Sequence, residues 1–147
     1  MREILFRGKR KDNGNWIYGT VVYPRSIKGK NYTAIVPIVD GESVYSMIRE
    51  VIPETVGQFT GLTDLHGKKI FEGDIIKIRF ESDSFTHPVE SIVWYDIAKV
   101  FWLSEHFGWF AAFASGEELS LWEYDDPDDV EIVGNIHDNQ ELLEEVK

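Results

Sequence analysis

Pro53-Glu54-Thr55-Val56-Gly57-Gln58-Phe59-Thr60-Gly61-Leu62-Thr63-Asp64-Leu65-His66-Gly67-Lys68-Lys69-Ile70-Phe71-Glu72-Gly73-Asp74-Ile75-Ile76-Lys77-Ile78-Arg79-Phe80 is the stretch that decides the fold. Glycines punctuate short apolar runs at Thr60-Gly61, His66-Gly67 and Glu72-Gly73, and the stretch ends in a β-prone run from Gly73 to Phe80. Turn residues at short intervals between such runs predict tight turns feeding short strands, the pattern of a small barrel or sandwich and not of a βαβ fold. The same glycines match neither GxxxxGK[ST] nor GxGxxG, so the stretch reads as scaffold and not as a phosphate loop.

Downstream, further strands are predicted at Val89–Trp94, Lys99–Leu103, Gly108–Phe113 and Val130–Ile136. Asp138 or Asn139 is placed to start a helix through 140–145, because short polar side chains satisfy the free N–H groups of a first helical turn. Upstream, Asn13-Gly14 lies between two β-prone runs, which predicts a hairpin with positive φ at both turn residues. Pro24 closes its second strand and 26–31 is a polar loop. Tyr32–Val39 reads as an edge strand, since Pro37 has no N–H for a ladder. The periodicity of 43–51 leaves strand and helical turn both open.

The expectation is therefore a mainly β chain, with α+β as the alternative. It comprises an N-terminal β-hairpin region over 1–52 and an SH3-like small β-barrel with a short C-terminal helix over 53–147. The 147 residues are 43% apolar and 14% aromatic, enough for a real core and too apolar for a disordered chain. No cysteine is present, which excludes disulfides and thiolate chemistry. No secretory h-region and no run of 18 apolar residues occur, so the expectation is a soluble cytoplasmic protein without a membrane partner.

The net charge of −11 is unevenly spread. Residues 1–30 carry +6, from Arg2, Arg7, Lys9, Arg10, Lys11, Arg25, Lys28 and Lys30 against Glu3 and Asp12. Residues 31–80 carry −2, and 81–147 carry −15, with only Lys99 and Lys147 against seventeen carboxylates. Three contiguous cations at most is a weak footprint for nucleic acid, whose binding requires several phosphates to be neutralised on one face. The segregation also suits an acidic partner, or pairing of the basic end with the acidic end of a second copy.

Chemistry finds little support in the motifs. Asp125-Asp126-Pro127-Asp128-Asp129 lacks the Gly and Glu of a calcium loop and reads as a solvated acidic loop. His66, His87, His106 and His137 have no metal-ligand spacing. Neither GxSxG nor SxxK occurs. Glu105 with His106, and Glu117 with Glu118, are adjacent pairs that a strand would point to opposite faces. No cofactor, metal or enzymatic activity is expected. The aromatic run Trp94, Tyr95, Phe101, Trp102, Phe107, Trp109, Phe110 and Phe113 reads as barrel core plus an interface. The candidate interaction surface is Arg7, Lys9, Arg10, Lys11, Trp102, Trp109 and Trp122.

Three landmarks carry a resemblance. Ile4-Leu5-Phe6-Arg7-Gly8-Lys9-Arg10 with Asn13-Gly14-Asn15-Trp16-Ile17-Tyr18-Gly19 resembles the opening of the YopX family of phage and prophage proteins. The stretches 55–64 and 67–76 and the ending Glu131-Ile132-Val133-Gly134-Asn135-Ile136-His137-Asp138-Asn139 resemble it too, in order, while 81–129 match loosely. The resemblance implies a phage or prophage accessory protein in a bacterial host and supplies no catalytic residues. Together with the charge pattern it favours a non-enzymatic protein–protein interaction module, a homo-oligomer. Nucleic-acid binding through the basic N-terminal region, in phage replication or regulation, is the alternative.

Overall fold

A computed structural model describes residues 3–23, 31–82, 92–123 and 126–144. The expected Pro24 stop, most of the polar loop after it, part of the strand expected at 89–94, Arg2, Arg25, Lys28, Lys30, His87 and Asp125 lie outside them, as does the end of the expected C-terminal helix. The chain is mainly β, with twelve strands and one short helix among the described residues. None of its described helices is long and apolar enough to cross a membrane. Two compact units are formed, Met1–Gly61 and Leu62–Lys147.

In the first unit, β1 (Phe6–Lys9) pairs antiparallel with β2 (Trp16–Val22), so the hairpin forms. Its turn is wider than a two-residue one. Only Gly14 takes positive φ (73°), and the loop closes through Arg10 N–H to the Asn15 carbonyl at 2.8 Å. The Asn13 side chain accepts from Asn15 N–H at 2.9 Å and fixes the loop locally.

β3 (Ala34–Val39) lies beside β2. It is not a bare edge. β5 (Arg49–Glu50) covers its beginning and β4 (Glu42–Ser43) its end, with a 3-10 turn at Tyr45–Met47 between them. Pro37 sits next to the gap, and its carbonyl accepts from Val44 N–H at 2.9 Å. Opposite it, Gly19 meets β3 so closely that a Cβ would lie 1.9 Å from the Val36 carbonyl oxygen. Only glycine permits that approach.

The division between units falls after Gly61 and not near residue 52, because the chain beyond 52 is still tied to β1. The Thr55 hydroxyl accepts from Lys9 N–H at 2.9 Å, and β6 (Gly57–Thr63) pairs with β1. β6 also runs through Thr60-Gly61, where a turn was expected. Leu5, Ile35, Val36, Val51 and Phe59 are buried in this unit.

In the second unit, β7 (Lys69–Phe71) precedes a sheet of order β11-β10-β9-β8-β12. These strands are β8 (Asp74–Glu81), β9 (Val93–Leu103), β10 (Gly108–Phe113), β11 (Glu118–Ser120) and β12 (Val130–Asn135). β8, β9, β10 and β11 form a meander, and β12 returns to pair with β8. No closed barrel results: β11 and β12 are the edges among the described residues. Residues 93–94 of the strand expected at 89–94 and the strand expected at 99–103 belong to the single β9, which runs continuously between them. Helix α1 (Glu141–Glu144) ends the described chain.

One face of that sheet makes the core. Ile76, Ile78, Ala98, Val100, Trp109, Ala111, Phe113 and Val130 are buried together with Ile70 and Leu121. Side chains alternate across a strand, so Trp94, Asp96 and Trp102 share the core-facing side of β9 with Ala98 and Val100. The opposite face carries an ion-pair row, Lys77 with Glu131 (3.5 Å) and Arg79 with Asp129 (3.7 Å).

Candidate functional site

The four basic residues expected on an interaction surface are already engaged within the first unit. Arg7 and Lys9 are two apart on β1 and so share a face, and Lys9 is registered opposite Trp16 on β2. One indole therefore receives both cations: Arg7 Cζ lies 4.6 Å from its ring centre and Lys9 Nζ 5.9 Å. Arg7 is only 6% exposed, since β1 is flanked by β2 and β6, so it does not present a charge to a partner. Arg10 grips Asp12 with two bonds of 2.6 and 2.9 Å, and that hydrogen bonding holds the Asp12 carboxyl below its ordinary range. Lys11 pairs with Glu50 at 2.9 Å.

The three expected tryptophans are drawn together around β9 and β10. Trp102 is directly opposite Trp109, ring centres 5.0 Å apart and edge to face. Trp109 is 5% exposed and belongs to the core, whereas Trp102 (43%) and Trp122 (57%) are open to solvent. The remaining aromatics divide the same way: Phe113 is buried, and Trp94, Tyr95 and Phe107 are exposed.

Sequence reasoning did not find the most distinctive group. At the open end of the core face, Phe80 of β8 and Trp94 of β9 are registered opposite each other and stack with ring centres 5.6 Å apart. Phe113 closes in on Phe80 at 6.0 Å. With Leu119 these rings wall a cavity of about 210 Å³, and Asp96, Glu117 and Glu118 line it as well. Glu117, in the turn before β11, lies on the cavity's side of the sheet with Leu119, whereas the side chain of Glu118, registered opposite Ala112, belongs to the other face. That turn is set by Gly116 N–H to the Phe113 carbonyl (3.0 Å) and Phe113 N–H to the Glu117 carbonyl (2.9 Å). Among the described residues none of the three carboxylates is ion-paired, and no cation lies against Trp94.

The buried carboxylates elsewhere serve the fold. Asp64 is 2% exposed and accepts from three backbone N–H groups, those of His66 and Lys68 at 2.9 Å and of Ile132 at 3.1 Å. Burial alone would raise its pKa; the N–H groups of Ile132, Lys68 and His66 outweigh burial and leave the carboxyl below the ordinary 3.8. Asp74 accepts from Phe71 N–H at 2.7 Å. Asn135 accepts from His137 and Asp138 N–H at 3.0 and 2.9 Å, and the Asn139 side chain turns back to Asn135 N–H at 3.3 Å. The chain's most recognisable residues thus hold turns and strand ends. Among the described residues no group of three or more His, Asp and Glu is arranged to hold a metal ion.

The family model described as YopX protein matches residues 5–144. No curated protein matches the chain. Among solved structures, it is similar to the crystal structure of protein EF1440 from Enterococcus faecalis. The TM-score is 0.53 at 19% identity, covering 97% of this chain and 99% of that one. That likeness is one of fold.

Proposed function

The chain belongs to the YopX family, and on that premise we propose that it is a phage or prophage accessory protein of the bacterial cytoplasm that works by binding a protein partner, without enzymatic chemistry. The observation that carries this reading is the core-facing side of β9. Exposed Trp94 and Trp102 and the carboxylate of Asp96 project from one face of a rigid strand whose middle, Ala98 and Val100, is fully committed to the core. Exposed aromatics with polar neighbours on a rigid element are the composition of a protein interface. The buried carboxylates Asp64 and Asp74 are tied to backbone N–H groups, which supports a scaffolding role for them.

Among the described residues the nucleic-acid reading is weakened by the burial of Arg7 and by the engagement of Lys9, Arg10 and Lys11 with Trp16, Asp12 and Glu50. Self-association is the simplest form of the preferred reading. The test is light scattering of the purified chain at low and high salt, with capture from nuclease-treated host lysate. A stoichiometric protein complex, with itself or with another chain, is expected. A monomer at both salt concentrations that retains only nuclease-sensitive material overturns the proposal.

A further inference from the structure

Resting on that reading, we infer that the cavity between Phe80, Trp94 and Phe113 takes a single lysine or arginine side chain from a basic segment of a partner protein. The cavity combines the two features a cation needs: aromatic faces that attract it and carboxylates that neutralise it. Asp96 and Glu117 line one small space beside the rings. At about 210 Å³ the space is below the roughly 300–1,000 Å³ typical of drug-sized ligands and matches one side chain.

The molecule itself uses the same chemistry twice with its own cations. Arg7 and Lys9 sit over Trp16 in the first unit, and Lys77 lies 5.2 Å over Tyr95 on the other face of the second unit's sheet. Trp94, 46% exposed, is served by no such cation among the described residues. Residues 81–147 carry seventeen carboxylates against two lysines, a field that attracts positive charge to this part of the chain.

A protein segment is favoured over a free amine by two features of the rim. Glu118 and Leu119 belong to β11, an edge strand, whose outer backbone groups can pair with an extended chain. Ile92 (65% exposed) lies two residues before Trp94 and offers apolar contact that a polyamine would leave uncovered.

The test uses the full chain and a dodecapeptide of alternating lysine, arginine and glycine. A glutamine-for-cation version and spermidine serve as comparisons, with binding followed by amide and indole NMR shifts. The basic peptide is expected to shift Asp96, Glu117, Glu118 and the Trp94 indole. Affinity should fall about tenfold for Trp94→Ala and by a similar factor for Asp96→Asn with Glu117→Gln, while Trp94→Phe stays within about threefold. Glu117 is exposed, so Glu117→Gln tests the site even if Trp94→Ala fails to fold. Affinity unchanged by these substitutions, or no binding at millimolar peptide, overturns the cavity assignment and leaves partner binding elsewhere on the chain intact. Spermidine binding as tightly as the peptide overturns the protein source. Self-association abolished by Trp94→Ala, without peptide binding, assigns the cavity to a second copy and overturns it as well.

Discussion

The two units treat charge beside tryptophan in opposite ways. In the first, Trp16 is flanked by Arg7 and Lys9 from the neighbouring strand, and the charges of Arg10 and Lys11 are met by Asp12 and Glu50. In the second, Trp94 stands beside Asp96 and Glu117, and no described cation answers them. Charge that is satisfied internally contributes to folding. Charge that is not satisfied is repulsive in the free chain and becomes useful only when something binds. A substitution series can therefore separate stability from recognition.

The largest expected effect calibrates the scale and comes from a satisfied anion. Asp64→Ala strips three backbone N–H groups of their acceptor and should cost about 3 kcal/mol or more in chemical denaturation, since each buried unmet donor costs about 1–3 kcal/mol. Asp64→Asn should cost less and should change the pH profile. A carboxyl whose folded pKa is depressed contributes stability that is present above its unfolded value and lost as pH falls through the folded one. The wild-type advantage over Asp64→Asn should thus shrink below about pH 4. An advantage that grows on acidification would refute the assignment.

Arg7→Ala comes next, at about 2 kcal/mol, from lost packing and a lost cation over Trp16. If it proves neutral, the first unit's cations are not structural and the contrast collapses. Lys11→Ala should cost about 0.2–1 kcal/mol, as exposed pairs do, with most of that gone in high salt. Asp96→Asn with Glu117→Gln should lie within about 0.5 kcal/mol of wild type, while weakening binding of the basic peptide about tenfold. A marked loss of stability in that pair would mean that the carboxylates hold the fold.

The hairpin at Asn13-Gly14, the glycine-set turns around Gly67 and Gly73 and the end near Asn135 were legible because local turn chemistry dictates them. The charge contrast was not legible. An arginine reads as surface, and Arg7 is buried because β6, fifty residues later, covers the second edge of β1. A signal for its pairing did exist: Arg7 and Lys9 alternate on a strand whose hairpin register faces Trp16. Asp96 interrupts an apolar pattern and so split β9 into two expected strands. Its approach to Glu117 depends on the β9–β10–β11 register, which no single segment encodes.

The Asp64 carboxylate joins a turn near the start of the second unit to Ile132, 68 residues along. The neighbouring Leu65 N–H reaches the Val130 carbonyl at 2.9 Å. Closing so long a span is slow, because its ordering entropy is spent before its contacts form. During synthesis the turn at Asp64 must wait for Ile132 to emerge, so these two segments lock in one late event. Pulsed hydrogen exchange should find the amides of Lys68 and Ile132 gaining protection together, after the β8–β9–β10 meander has formed.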